Sequence, residues 1–222
     1  MSLLHERALT LAAQDWQILI KGLRCSIRYT GSAMTIASTT PALEPRVPLL
    51  ERDQVPADIA ALYDQLLATR GIVPNMFKAL SNVPPLVLGV AAFLKPLMAD
   101  GALPGWYKEI LATRVASLNN CAYCVSAHRL LAAQRGATQA QIDSVDTFES
   151  GPFTEKEKAG LRHAGLLNIS GNAVDQPAYE ALAAHFSATE IVELTAVAAA
   201  FEFFSRINSS LRIPVTPIPQ GS

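Results

Sequence analysis

The chain has 222 residues, half of them hydrophobic, and its 18 Lys and Arg nearly balance its 19 Asp and Glu. This length suits a single domain with a full hydrophobic core. The charge balance gives no reason to expect binding to nucleic acid or to an anionic membrane. The mean hydropathy of +0.23 predicts apolar surface buried between subunits, and therefore a homo-oligomer. Three cysteines are too few for a disulfide scaffold.

The N-terminal segment is predicted to lie outside the folded domain. Residues 1–33 carry His5, Glu6 and Arg7 where a secretory signal needs an unbroken apolar run. No window of the sequence reaches the roughly 18 apolar residues of a membrane span. Met34 opens a Ser-, Thr- and Pro-rich stretch, and we expect the natural start there. The expected organisation is an extension over residues 1–45, a domain over 46–215 and a tail over 216–222, in a cytoplasmic protein.

From residue 56 onward the sequence predicts a succession of helices. Pro and Gly punctuate apolar stretches of helical spacing, Thr154 to Glu157 spell a capping box, and no alternating strand pattern appears. Residues 72–77, IVPNMF, are predicted to be a break, and Pro96 is predicted to kink or end its helix. The fold class is therefore all-α. The predicted helices cover residues 56–71, 85–99, 105–118, 121–135, 138–145, 155–167, 177–185 and 188–210.

The stretch NNCAYCVSAHRLL, residues 119–131, places Cys121, Cys124 and His128 on one predicted helix. At about 100° per residue the three side chains share one face. Cys121 stands at the helix N-terminus, where the macrodipole favours a thiolate. His128 is the i+4 neighbour of Cys124, a position from which a base takes a thiol proton. These positions favour different cysteines as the nucleophile, and the choice stays open; Cys25, in the extension, is predicted to be incidental.

A carboxylate on the preceding helix completes this constellation. Glu109 is the one carboxylate on an otherwise apolar and aromatic helix face. If the two helices form an antiparallel hairpin about Asn119–Asn120, the rise per residue places Glu109 about 16 Å and His128 about 13 Å from the turn. Side chains lean toward each helix N-terminus. We therefore expect the carboxylate and the imidazole to stand nearly level, with room for a bridging water.

The spacing of these residues resembles the signature of the AhpD-like alkylhydroperoxidases, which belong to the carboxymuconolactone decarboxylase superfamily. Glu109, eleven intervening residues, the Cys121-x-x-Cys124 pair, three residues and His128 carry the resemblance. Further stretches are similar to the peroxidase-related branch of that superfamily: VPNMFKALSNVPPL (73–86), GALP (101–104) and FEFFSRINSSLRI (201–213).

The resemblance implies an AhpD-like helical bundle and a thiol oxidoreductase that reduces hydrogen peroxide or organic hydroperoxides. It assigns Glu109 and His128 to a proton relay, and Cys121 and Cys124 to a reversible disulfide. An external dithiol or thiol-redox protein would reopen that disulfide, with no bound cofactor and no metal. The family suggests a trimer or a multiple of a trimer. Its best-known member has a histidine where this chain has Tyr123, so a proton path through that position is not carried over.

Other interpretations of the cysteine pair remain beside this one. A structural zinc takes four ligands, and Cys25 or His163 would have to be recruited from far along the chain. The thiols can also be inert core residues, or form the disulfide of a non-catalytic redox sensor or scaffold. A superfamily enzyme acting on a lactone or another small organic acid would keep the cysteines for structure only. His163 and His185 have no partner at useful spacing and are expected at the surface or in the core.

Overall fold

The structure is a computed structural model that describes residues 44–217. This part of the chain forms nine α-helices and three short 3-10 turns and contains no β-strand, so the predicted all-α class is confirmed. Residues 1–43 of the predicted extension over 1–45, and residues 218–222 of the predicted tail, lie outside the described residues. The helices are α1 (Ala57–Arg70), α2 (Asn75–Leu80), α3 (Pro84–Met98), α4 (Gly105–Leu118), α5 (Ala122–Gln134), α6 (Gln139–Asp143), α7 (Glu155–Ile169), α8 (Gln176–Ala183) and α9 (Ala188–Ser210).

The predicted helix bounds agree with the structure to within two residues, but the prediction of a break over residues 72–77 is wrong. Residues 72–77 are not wholly irregular, because Pro74 acts as an N-cap and α2 begins directly after it, at Asn75. Pro96 does not end α3, which continues to Met98. Since Pro96 lies in the last turn, its missing N–H removes one helical hydrogen bond without interrupting a longer run.

Helix α4 occupies the centre of the fold and packs against α5, α7 and α9. Ile110, Leu111 and Val115 on this helix are fully buried, as expected for a helix with neighbours on several sides. Residues 119–121 connect α4 to α5 as a tight helical hairpin. Asn120 adopts φ 52° in this connection, a left-handed conformation that asparagine tolerates better than most side chains. The hairpin brings the start of α5 next to the core helix.

One buried cation fixes the position of α9 relative to the loop before α4. Lys108 is fully buried, and its Nζ donates to the carbonyls of Leu97 at 3.0 Å and Ala99 at 2.6 Å. The same Nζ lies 2.8 Å from Oε1 of Glu193. The second oxygen of Glu193 accepts the N–H of Leu103 at 2.7 Å. Each charge is paired and hydrogen-bonded, so removing either partner would leave the other unpaired and would destabilise the attachment of α9.

An apolar groove of about 530 Å³ runs between α3 and α9. Phe93 and Phe203, on its two walls, are 49% and 47% exposed. Neither cysteine of the 121–124 pair lines this groove. The groove is therefore a separate feature of the surface.

The described helices differ in length or in apolar composition from membrane-spanning helices. Within residues 44–217 no single helix has both the length and the apolar composition to cross a bilayer. Helices α8 and α9 reach that length and composition only when taken together, and they are bent by 119° at their junction.

Candidate active site

Two free thiols stand at the start of α5. Cys121 is the N-cap residue of this helix, and its sulfur accepts the backbone N–H of Cys124 at 3.4 Å. The two sulfurs lie 2.8 Å apart, and each residue is 2% exposed. A disulfide bond measures about 2.0 Å, so only a small approach of the sulfurs would close one. The pair is therefore a free dithiol whose sulfurs need little movement to form a disulfide.

The two thiols share a proton and titrate as a unit. The hydrogen bond from the Cys124 thiol lowers the pKa of Cys121 to about 6, and burial opposes this shift. The backbone N–H of Cys124 and the hydroxyls of Ser209 and Ser205 lower the same pKa further. The pKa of Cys124 is raised, because its proton is held in the bond to Cys121 and because it is buried. At neutral pH the pair consequently carries one negative charge, centred on Cys121.

A carboxylate and an imidazole meet beside this pair. Glu109 is 1% exposed, and its Oε2 lies 2.6 Å from Nδ1 of His128. The expectation of a bridging water is wrong, since the side chain of Glu109 spans the offset of about 3 Å that the helical rise gives. The ring of Phe201 packs edge-on against the imidazole, with centroids 4.3 Å apart. The His128 ring is therefore held in one orientation by a carboxylate and an aromatic side chain.

The structure brings Glu109 and His128 into direct contact but does not join them to a sulfur. Within residues 44–217 the imidazole has one hydrogen-bond partner, the carboxylate, and none of its bonds reaches Cys121 or Cys124. Proton transfer between ring and thiol thus requires a mediating molecule or a small movement of the ring. Catalytic hydrogen bonds often close only when substrate is bound.

Arg135 holds the other oxygen of the carboxylate and was missed by the sequence analysis. Its Nε lies 3.3 Å from Oε1 of Glu109, and its guanidinium also donates to the carbonyl of Met98. Gly105 leaves room for this side chain, because a Cβ there would meet Nη1 of Arg135 at 2.5 Å. One signal was available: Arg135 follows His128 by seven residues, which places both on the same face of a helix.

Helix α9 covers the thiols with polar side chains that sequence reasoning did not single out. The amide Nδ2 of Asn208 donates to Sγ of Cys124 at 3.3 Å and to Sδ of Met76 at 3.6 Å. Ser205 lies three residues earlier on the same helix, and both residues are at most 2% exposed. In the sequence, residues 201–213 resemble the peroxidase-related branch, but that resemblance assigns no role to Ser205 or Asn208.

Tyr123 stands between the two cysteines in the sequence, but its hydroxyl is engaged elsewhere. It accepts the N–H of Met76 at 3.1 Å and a hydrogen bond from Oγ1 of Thr216 at 3.2 Å. Burial raises the pKa of this hydroxyl. Tyr123 therefore ties α5 to the start of α2 and to the C-terminal segment.

The remaining candidate ligands are not gathered at the site. His163 is buried, its Nε2 lies 3.1 Å from Oγ1 of Thr195, and burial lowers its pKa. His185 is exposed. In the described part of the chain no group of three or more His, Cys, Asp and Glu has the arrangement of a metal site. Cys25 falls outside the described residues.

Comparison with known sequences points to one family. A profile of the carboxymuconolactone decarboxylase family matches residues 84–164, a span that includes all four candidate residues of the relay and the thiol pair. The uncharacterized protein YnjA of Escherichia coli (strain K12) is 28% identical over 108 residues. That match covers 48% of this chain and 59% of YnjA, so the two proteins are alike over little more than half of the relative's length.

Comparison with solved structures points the same way. The AhpD core of an uncharacterized peroxidase-related protein from Ralstonia eutropha JMP134 has a TM-score of 0.73 at 24% identity, over 78% of this chain and 92% of that one. The debrominase Bmp8, solved as a cysteine-to-alanine variant with 2,3,4-tribromopyrrole, has a TM-score of 0.71 at 20% identity, over 81% and 96%. Identities this low establish the fold alone. The chain therefore has an AhpD-like helical fold, and residues 84–164 within it match the carboxymuconolactone decarboxylase family.

Proposed function

We propose that the protein is a thiol-dependent peroxidase that reduces hydrogen peroxide or organic hydroperoxides through a Cys121–Cys124 disulfide cycle. The observation that carries the proposal is the free thiol pair, 2.8 Å apart at a helix start. A dithiol at this distance supplies both the attacking and the resolving sulfur. The Glu109–His128 contact beside it supplies a base whose ring is oriented by a carboxylate, as in other activated nucleophiles.

In the proposed cycle, the two thiols supply the two electrons that reduce one hydroperoxide. One thiolate attacks an oxygen of the hydroperoxide, so that an S–O bond forms, the O–O bond breaks, and the leaving oxygen takes a proton as water or alcohol. The second thiol loses its proton, and its sulfur displaces the hydroxyl of the sulfenic acid as water. The sum is one hydroperoxide and two thiols converted to one alcohol, one water and one disulfide. An external dithiol then reduces the disulfide by exchange.

The relay of Glu109 and His128 serves the proton that remains on the pair. At neutral pH one proton is already lost, since the pKa of Cys121 is about 6, whereas the pKa of Cys124 is raised. Disulfide closure requires the second proton to leave. The hydrogen bond between the carboxylate and Nδ1 orients the His128 ring, so that its other nitrogen can take that proton.

A direct test follows peroxide consumption by the reduced full-length protein in the presence of a generic dithiol. The expected result is turnover well above that of the dithiol alone, with one disulfide formed per peroxide consumed in a single turnover without reductant. Peroxide consumption no faster than with the dithiol alone would overturn the proposal.

Two of the other interpretations separate in the same assay. A redox sensor would oxidise once per molecule and would show no steady-state turnover. A lactone-processing enzyme with structural cysteines would consume peroxide no faster than the dithiol alone. The likeness to the debrominase, at 20% identity, supports the fold and adds no separate observation for dehalogenation.

Self-association is part of the proposal. The apolar side chains along α3 and α9 are unusually exposed for a monomer, as Phe93 and Phe203 show. We expect a trimer or a multiple of a trimer, to be measured by light scattering coupled to gel filtration. A monomeric mass at micromolar concentration would contradict this expectation.

A further inference from the structure

Two buried polar atoms beside the thiols have no partner. Oδ1 of Asn208 and Oγ of Ser205 make no hydrogen bond within the described residues, although both residues are at most 2% exposed. A buried polar atom without a partner is unfavourable, and apolar side chains at the same positions would avoid the penalty. Such atoms in a native structure call for an explanation, often a catalytic role or a bound molecule.

The chemistry of these two side chains fits a small hydroxylic molecule. Asn208 offers a carbonyl oxygen as acceptor and an amide with two hydrogens, of which one already donates to Sγ of Cys124. Its other near partner is the thioether of Met76 at 3.6 Å, a weak acceptor. The hydroxyl of Ser205 both donates and accepts. A hydroperoxide presents one O–H donor and two oxygen acceptors, which this arrangement complements.

The same two residues lie beside the sulfurs of the pair. Asn208 donates to Sγ of Cys124 at 3.3 Å. The hydroxyl of Ser205 makes no hydrogen bond of ordinary geometry, but it is near enough to both sulfurs to lower the pKa of Cys121 and to limit the rise in the pKa of Cys124. A molecule bound to the free atoms of Ser205 and Asn208 would therefore lie within reach of either sulfur. This holds whichever cysteine attacks.

We propose that Asn208 and Ser205 form the subsite that binds the O–O–H group of the hydroperoxide beside the Cys121–Cys124 pair. The inference rests on the proposed peroxidase function and adds two substrate-contacting residues to it. As the sulfur attacks and the O–O bond breaks, negative charge develops on the departing oxygen. A donor from Asn208 or Ser205 stabilises that oxygen until it takes a proton and leaves as water or alcohol.

The test compares peroxides with an oxidant that has no O–O bond. Single-turnover oxidation of the reduced protein by hydrogen peroxide and by cumene hydroperoxide is set against oxidation by diamide, in a Cys25→Ser background. Asn208→Leu keeps the size of the side chain and removes its hydrogen bonds, and Ser205→Ala removes one hydroxyl. Ser210→Ala is the control, since Ser210 is exposed on the same helix.

The expected result is a selective loss. Asn208→Leu should slow both peroxides by about 100-fold, the effect of losing one donor to a developing oxyanion. Ser205→Ala should slow them by about tenfold or more for the same reason. Diamide oxidation and alkylation should slow much less than peroxide oxidation does, because these reactions lose only the contacts of the two side chains with the sulfurs. Because neither replacement deletes a strong internal hydrogen bond, the melting temperature of Ser205→Ala should equal or exceed that of the parent.

Two results would overturn the inference while leaving the peroxidase function intact. Either peroxide oxidation stays at the parental rate in both variants, or diamide and alkylation slow as much as the peroxides do, so that the residues act on the sulfurs alone. A parent protein that reacts with peroxide no faster than a free dithiol would instead refute the function itself, and this inference with it. If Asn208→Leu fails to fold, Ser205→Ala decides.

Discussion

Replacing Glu109 by Gln tests whether the carboxylate drives proton transfer or merely fills space. Gln has nearly the same shape and can still accept a hydrogen bond from Nδ1 of His128. What the replacement removes is the negative charge whose oxygen lies 2.6 Å from that nitrogen. The side chain of Glu109 is 2% exposed and that of His128 is 13% exposed, so solvent replaces little of the lost interaction.

The size of the effect follows from the charge separation. Unit charges about 4 Å apart attract by about 4 kcal/mol at an effective dielectric constant of about 20. A retained hydrogen bond of about 1 kcal/mol to Gln, and partial screening at His128, leave a loss of about 2 to 3 kcal/mol. At about 1.4 kcal/mol per tenfold change in rate, Glu109→Gln should lower the peroxidase rate at pH 7 by about 100-fold, and by no less than about tenfold. That range matches the usual contribution of a general base.

The assay is the pH dependence of steady-state peroxide reduction, with a thermal melt of each variant. The rate of Glu109→Gln should recover partly toward pH 8.5, near the pKa of a free thiol, because hydroxide then removes the proton that the relay no longer takes. Glu149→Gln is the control: it removes an exposed carboxylate that is paired with Arg162 at 2.6 Å and has no part in the site or in the anchoring of α9. A folded Glu109→Gln protein with the parental rate and pH profile would remove Glu109 from the mechanism.

Four further outcomes are expected. Serine in place of either Cys121 or Cys124 should abolish turnover. Only the variant that keeps the attacking cysteine should form a sulfenic acid, detected as a dimedone adduct, after one equivalent of peroxide. Normal turnover in both variants would refute the redox cycle. The rate of thiol alkylation in a Cys25→Ser background should rise with pH through a midpoint near 6, because the Cys121 thiolate forms as the pH increases through that pKa. Cys124→Ala should move this midpoint upward, because it removes the thiol that donates to Cys121. An unmoved midpoint would show that other groups set the pKa of Cys121. Arg135→Leu should lower the free energy of unfolding, measured by urea titration, by about 1 to 2 kcal/mol. It should lower the peroxidase rate by less than about tenfold, because the Glu109 carboxylate remains. A rate as low as that of Glu109→Gln would mean that Arg135 is as essential as Glu109. Lys108→Met should lower the free energy of unfolding by about 1 to 3 kcal/mol in a urea titration, because the carbonyls of Leu97 and Ala99 and the partly exposed Glu193 carboxylate lose their donor. An unchanged midpoint would show that this ion pair does not anchor α9.

The sequence by itself determined the helices and the chemistry on one helix face. Local signals do this: the capping boxes at Thr154 and Ser187 satisfy free backbone N–H groups at helix starts, and the helical period places Cys121, Cys124 and His128 on one side. The position of Glu109 on the preceding helix, level with His128, also follows from the rise per residue across a short connection. These features depend on residues that are neighbours in the chain, so they can be predicted from the sequence without knowledge of the fold.

Only the tertiary structure decided how the face is completed. The direct contact of Glu109 with His128, in place of a bridging water, depends on how closely α4 and α5 pack. Asn208 lies 84 residues after Cys124 in the sequence, and no periodicity links the two. Their meeting depends on the course of α9 across the hairpin, which the buried Lys108–Glu193 pair helps to fix. Contacts between side chains far apart in the chain are set by the packing of whole helices, and the local pattern of residues does not predict them.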